Sequence, residues 1–406
     1  MTASTSSEGP DGRILEKAEQ AARILEEMGV DAWLLFVRES EAMHDPSLDT
    51  VVGANVTWQS AFIFTSGGRR LAIVGSLDVA RIQRTGIFPE IIGYKGGIRE
   101  DLRRVMQELD PGRLALNFST DSELADGLTH GMYLLLGEIL AGTPYLERAL
   151  SSAPVMAALR GRKSPSEVES IRRACAVTQE IFDALTPKLR VGLTEKAVAE
   201  LIVAEMEARG LEPAWEPSHC PAVFTGPDSA GAHAGPTGTV IEPGHVMNVD
   251  FGVKVEGYCS DMQRTWYFLE EGEAAAPAEV TRGFDTIRHA IRLAGEALRP
   301  GVQGHFVDAV ARGHITGAGY PEYDHALGHQ VGRTAHDGAG LLCPVWERYG
   351  ERAFLPVEEG QVYTLEPRLP IPGHGIATME EIVVVTEEGC RYLTVPQTEL
   401  YLVGPA

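Results

Sequence analysis

Ile241-Glu-Pro-Gly-His-Val-Met-Asn-Val-Asp250 and Val357-Glu-Glu-Gly-Gln-Val-Tyr-Thr-Leu-Glu366 are two versions of one passage, 116 residues apart. Each turns on a glycine, runs on as an apolar strand and delivers a carboxylate, Asp250 or Glu366, at the same final place. A second pair, Leu189-Arg-Val-Gly-Leu-Thr194 and Leu298-Arg-Pro-Gly-Val-Gln303, recurs at 109 residues. Around both pairs the pattern is two helices followed by short β runs, twice. This is an internal repeat, and it predicts a domain of two halves about a pseudo-two-fold axis. The next strand of each half carries a further acid, Asp261 in Cys259-Ser-Asp-Met-Gln-Arg-Thr265 and Glu380 in Ala377-Thr-Met-Glu-Glu-Ile-Val383. The repeat therefore sends four carboxylates towards one axis.

Four acids in one cleft raise each other's pKa and cannot all ionise without compensating charge. Two divalent cations about 3.5–4 Å apart resolve that conflict and form a recurrent hydrolytic arrangement. An imidazole to complete the set is offered by His325-Ala-Leu-Gly-His-Gln-Val-Gly-Arg-Thr-Ala-His-Asp337, where Gly328 and Gly332 bracket His329. Oxygen donors with one imidazole favour Mn²⁺, Co²⁺ or Zn²⁺ over a thiolate-type structural zinc. One aspartate near a glycine is ordinarily a turn residue, and Glu358 and Glu359 read as solvated turn acids. The repetition separates the four acids from that background, because a lone acid is costly in an apolar strand unless paired or bound to metal.

Outward from this core, Ser164-Pro-Ser-Glu167 is a capping box with Pro at the first helical position, so a helix begins sharply after a boundary near Arg160–Lys163. Thr194 caps a second helix, and two more are expected over Phe284–Leu298 and Phe306–Arg312. Residues 13–158 read as a separate α/β domain. It has a helical pattern from Ile14 to Met28 stopped by Gly29, a strand over Ala32–Val37, a hairpin joining Ala61–Thr65 to Leu71–Val74, a helix over Ile98–Leu109 and a strand over Leu114–Phe118. It shows no ligand cluster. Residues 1–12 read as a disordered tail without a secretory signal, leaving 159–406 as the repeat domain.

The 406 residues carry 35 Lys+Arg against 57 Asp+Glu, a formal charge of −22, so the average surface repels nucleic acid and anionic membranes. No apolar run reaches the length needed to span a bilayer. Five cysteines without a CxxC pair argue against a disulfide framework, and a cytoplasmic location is the expectation.

With these motifs in place, residues 160–400 resemble the pita-bread metallopeptidases, the family of Xaa-Pro dipeptidase (prolidase), aminopeptidase P and methionine aminopeptidase, with creatinase as a metal-free relative. The N-terminal domain is similar to the creatinase/prolidase type. The spacings agree: eleven residues between Asp250 and Asp261, and four then seven between His325, His329 and His336. The resemblance implies an α+β fold with a pita-bread catalytic domain, and two divalent ions per chain held by Asp250, Asp261, His329, Glu366 and Glu380. It implies hydrolysis through a metal-bridging hydroxide, with Glu366 moving the water's proton. His233, in Gly231-Ala-His-Ala-Gly235, and His336 would face the reacting amide, and His325 would line the prolyl pocket.

One departure stands out. Prolidases and aminopeptidases P usually carry Arg two residues before the last glutamate, where this chain has Thr378; Arg352 is a candidate substitute anchor for a substrate carboxylate. The implied activity is cleavage of proline-containing dipeptides by a homodimer. Aminopeptidase P action on longer Xaa-Pro peptides, hydrolysis of a small non-peptide amide and a scaffold without catalysis are the alternatives.

Overall fold

The computed structural model describes residues 12–120, 122–228 and 235–404; the tail expected at the N-terminus and the segment containing His233 lie outside them. The chain divides into two compact units, Met1–Arg160 and Gly161–Ala406.

In the first unit, α1 (Gly12–Glu27) presents Ala18, Ala21, Ile24 and Leu25 to the core at helical spacing and gives way to Gly29, whose φ of +61° suits glycine. The strands β1 (Ala32–Val37), β2 (Ser60–Thr65), β3 (Arg70–Gly75), β4 (Glu90–Tyr94), β5 (Leu114–Leu116) and β6 (Ala149–Ser151) form one sheet, ordered β4-β3-β2-β1-β5-β6. The expected hairpin is present, with Phe62 opposite Ala72, while β5 stops two residues short of the expected end. All six residues of β1 are buried, as in a strand covered on both faces.

The second unit opens with α2 (Pro165–Leu185), whose Ser164 cap and Glu167 complete the reciprocal capping box. Thr194 accepts from Ala197 N at the start of α3 (Glu195–Ala208). These helices pack on a sheet of β7 (Ala222–Thr225), β8 (Val246–Phe251) and β9 (Met262–Phe268) around Phe182, Ile202, Val249, Phe251 and Trp266. The motif then repeats. Helices α4 (Ala278–Ala297) and α5 (Gly304–Gly317) cover a second core of Ile287, Ile291, Ile315, Leu365 and Val383. It includes strands β10 (Gly328–His329), β11 (Val362–Leu365), β12 (Arg368–Ile371), β13 (Gly375–Thr378) and β14 (Glu381–Val385). Both repeat helices are longer than expected. α4 starts six residues earlier, and α5 runs five residues past Arg312, adding Ile315 to the buried face of Val307 and Ala311.

Strand register decides which residues of the two halves correspond. Asp250 lies opposite Gln263 in β8–β9, and Leu365 lies opposite Glu381 in β11–β14. One further step along that second register sets Glu366 opposite Glu380. Glu380 therefore corresponds to Gln263, and Asp261 corresponds to Thr378, so the repeat is asymmetric in its second pair of acids. The halves meet where Gln263 and Glu380 form an isolated antiparallel bridge.

Behind that bridge Arg264 is fully buried and pairs with buried Glu381 at 3.2 Å. Its guanidinium also donates to the carbonyls of Gln263 (2.9 Å) and Glu380 (3.2 Å). Removing one partner of such a pair strands the other charge in the interior, at a cost of roughly 3–5 kcal/mol. Arg264→Met is expected to lower Tm by on the order of 10 °C; a melt within a degree or two of wild type would show that the pair is not holding the bridge.

Candidate metal centre

Each acid reaches the centre from the end of a strand. Asp250 closes the apolar run of β8, Asp261 precedes β9, Glu366 follows β11 and Glu380 sits between β13 and β14. Strand ends suit the task, because the preceding apolar residues fix the backbone in a core while the terminal side chain emerges into the cleft. His329 comes from β10, where glycine is needed on both sides. A Cβ at Gly328 would collide with the Thr364 carbonyl, and one at Gly332 would collide with the Asp337 carboxylate.

The structure brings the five residues together. One ligand-capable atom from each of Asp261, His329 and Glu380 lies within 4.8 Å of the other two. His329 Nε2 is 3.3 Å from Glu366 Oε1 and 3.6 Å from Asp261 Oδ2, and Asp250 is close enough to Asp261 and Glu366 for their charges to act on it. The electrostatics divide the set. Burial, reinforced by neighbouring carboxylates, pushes Asp250 and Glu380 well above the usual carboxylate range. Burial raises Asp261 to about 7, with His329 opposing. Glu366 is partly buried, yet the adjoining imidazole holds it below its ordinary value, while burial works against the His329 charge and Glu366 outweighs it, lifting the imidazole to about 9.

Two oxygens decide what the cluster is for. Asp250 Oδ1 and Glu380 Oε1 are buried and have no hydrogen-bond partner among the described residues. Unsatisfied buried carboxylate oxygens are strongly disfavoured. A divalent cation satisfies both, and oxygen donors with one imidazole match Mn²⁺, Zn²⁺ or Co²⁺. The residues fit the group.

Around the cluster, His336 is exposed and its ring stands edge-on to His329, 4.2 Å between centroids. Its loop is anchored at the next residue, because Asp337 pairs with the buried Lys163 at 3.7 Å and accepts the Arg333 N–H at 2.8 Å. His325 lies 5.1 Å from the Tyr323 ring, and burial lowers its pKa, which favours neutral imidazole. Arg352 is exposed in the short helical segment Glu347–Phe354, and no hydrogen bond or ion pair among the described residues ties it to the cluster.

Sequence reasoning missed three residues. Gln263 Nε2 donates to Glu380 Oε2 (3.0 Å) and approaches Glu366 Oε2 (3.4 Å). Thr364 Oγ1 donates to Glu366 Oε1 (3.1 Å) and accepts from His329 N (3.1 Å). Arg368 lies directly across the β12–β13 ribbon from Thr378 and pairs with Asp324 Oδ1 at 2.5 Å. Only strand register reveals the first and third; Thr364 carried a signal, two residues before Glu366 and so on the same strand face.

Residues 169–387, more than half of the chain, match metallopeptidase family M24. An uncharacterized peptidase of Bacillus subtilis is 25% identical over 395 residues, covering 95% of this chain and 99% of that protein. The Xaa-Pro dipeptidase of Lactobacillus helveticus is 30% identical over 60% of this chain and 63% of its own length, so the chain aligns with less than two thirds of that relative. Among solved structures, a Xaa-Pro dipeptidase from Bacillus anthracis superposes with a TM-score of 0.72 at 24% identity, over 96% of this chain and 100% of that one. With its carboxylate-lined centre and a family match over both halves of the repeat, the chain belongs to metallopeptidase family M24, an enzyme family that acts on peptides with a divalent metal.

Proposed function

We propose that the chain is a Xaa-Pro dipeptidase working with two divalent ions held by Asp250, Asp261, His329, Glu366 and Glu380. The observation that carries the reading is the pair of orphaned oxygens, Asp250 Oδ1 and Glu380 Oε1, within a cluster whose acids are otherwise too crowded to ionise. The relatives named Xaa-Pro dipeptidase support the choice of substrate. When bound, the ions supply the compensating charge, acidify water and polarise the scissile carbonyl.

The chain's own groups do the rest. Glu366 remains ionised beside His329, so it is the group free to take the attacking water's proton and pass it to the leaving proline nitrogen. Thr364 holds one of its oxygens and Gln263 approaches the other, which limits its rotation. His336 is poised to donate to the carbonyl oxygen as it becomes negative, with His233 assigned the same task. His325, neutral and flanked by Tyr323, offers a flat wall for a prolyl ring. An imide nitrogen has no N–H to bind, so shape rather than hydrogen bonding must select it.

Metal and protons compete for the same oxygens. In the metal-free fold Asp250, Asp261 and Glu380 bind protons that the unfolded chain has already lost, so their contribution to stability falls as pH rises above the ordinary carboxylate range, for Asp261 up to about 7. Adding Mn²⁺ to EDTA-dialysed protein is therefore expected to raise Tm more at pH 8 than at pH 5, and to restore lost activity. Asp261→Asn should remain folded and inactive. A larger Mn²⁺ effect at pH 5, or full activity of the dialysed protein, would refute the centre.

For substrate choice, Ala-Pro should be hydrolysed far faster than Ala-Ala and faster than Ala-Pro-Ala. Equal rates on Ala-Pro and Ala-Ala point to a general dipeptidase, and preference for the tripeptide points to aminopeptidase P action.

His336→Ala is expected to lower kcat on Ala-Pro by about 10²–10³, with KM and metal stoichiometry little changed, since the bond strengthens only as charge develops. Loss of one ion per chain would make His336 a ligand instead.

A further inference from the structure

We infer that Gln263 and Thr378 form a charge-neutral clamp that decides which carboxylate oxygens are left free for metal. The inference rests on the metal-binding reading above and extends it to two residues that are not ligands.

A glutamine amide has two donors on nitrogen and an acceptor on oxygen, so its use depends on which way it faces. Here Thr378 Oγ1 lies 2.8 Å from Gln263 Oε1 and 3.3 Å from the Pro367 carbonyl, and the shorter contact assigns its one hydroxyl proton to the amide oxygen. With the oxygen engaged, the amide nitrogen must face the acids, where it meets Glu380 Oε2 at 3.0 Å and Glu366 Oε2 at 3.4 Å. Glu380 is then left with Oε1 free, and that is the atom found buried without a partner. The clamp thus selects the ligating oxygen of one acid and steadies a second.

Thr378 is itself held rigidly. Its N–H donates to Asn248 Oδ1 at 3.3 Å, its carbonyl accepts from Thr265 Oγ1, and that same hydroxyl oxygen lies 2.7 Å from Asn248 Oδ1. Gln263 and Thr378 are both nearly inaccessible to solvent, at 4% and 2% exposure. Arg264, the adjacent cation, is turned away towards Glu381 and backbone carbonyls. Among the described residues, the side-chain donors aimed at Glu366 and Glu380 from outside the ligand set are neutral amide and hydroxyl groups, Gln263 and Thr364. Orientation is achieved without a positive charge that would repel the incoming ions.

The test is metal binding rather than activity. EDTA-treated full-length wild type, Gln263→Met, Thr378→Val, Thr378→Ser and the Gln263→Met/Thr378→Val double variant are titrated calorimetrically with Mn²⁺, and the metal-free Tm of each is recorded. Thr378→Val is expected to weaken Mn²⁺ binding by about tenfold or more, while Thr378→Ser, which keeps the hydroxyl, binds within about twofold of wild type. Because Thr378 acts through Gln263, the valine substitution should cost nothing further once Gln263 is methionine. Wild-type affinity in Thr378→Val, or the same loss from it in both backgrounds, overturns the clamp. If Thr378→Val does not fold, Gln263→Met alone decides, and unchanged Mn²⁺ affinity there is equally fatal. A wild-type chain that takes up no Mn²⁺ overturns the metal centre together with the clamp, whereas normal wild-type uptake with indifferent variants overturns the clamp alone.

Discussion

Mutual repulsion among Asp250, Asp261, Glu366 and Glu380 is the constraint around which the second unit is built. Like charges at contact distance in a poorly solvated site interact far more strongly than in water. The acids respond unequally, with Asp250 and Glu380 pushed furthest towards the protonated form and Glu366 kept ionised by His329. An arrangement so unfavourable without cations needs a stiff frame. Two apolar cores provide it, one under each half, with the Arg264–Glu381 pair fastening the seam between the strands that carry Gln263 and Glu380.

The two halves are alike in backbone and different in chemistry. Asp250 and Glu366 hold matching places, but the positions facing them are Gln263 and Glu380, an amide against an acid. Two residues earlier the substitution runs the other way, with Asp261 matched by Thr378. A fully symmetric site would carry the same residue type at both members of each pair. The observed exchange keeps the acid count at four in all while leaving one amide and one hydroxyl at the centre, and those two hydrogen-bond each other.

Much of this was legible in the sequence, for identifiable reasons. Asp250 and Glu366 stood out because an apolar strand ending in an acid occurs twice after the same glycine turn. The capping box at Ser164 and the strand Ala32–Val37 rest on local rules and appear as expected. The sequence shows a further acid on the next strand of each half, Asp261 and Glu380, but not that they stand two residues apart in register, because spacing along the chain does not determine strand pairing. Gln263 was passed over for a related reason: an amide beside an aspartate has no signature until the opposing strand is known. The N-terminal end of α4 was misplaced because Ala278–Gly283 has too few apolar residues to show a period.

Buried acids are common in this chain, and comparing them shows which feature marks a functional one. Asp45, 1% exposed, accepts from Ser47 and Asn117. Glu195, 2% exposed, accepts from the N–H groups of Thr225 and Thr237 and from the Thr237 hydroxyl. Glu381 is matched by Arg264 and by the Gln397 N–H. In each of these the surrounding fold supplies the donors, and the acid ties segments together as a structural fastening. Glu380 is as deeply placed and Asp250 is partly buried; both face other carboxylates and keep a buried oxygen with no donor among the described residues. Burial and a raised pKa alone do not separate the classes, since Asp45 and Glu381 are also shifted upward by desolvation. The distinguishing property is the unmet oxygen. A fold that satisfies Asp45, Glu195 and Glu381 so completely can satisfy buried carboxylates, and at Asp250 and Glu380 it leaves coordination sites for a ligand that the chain does not itself contain.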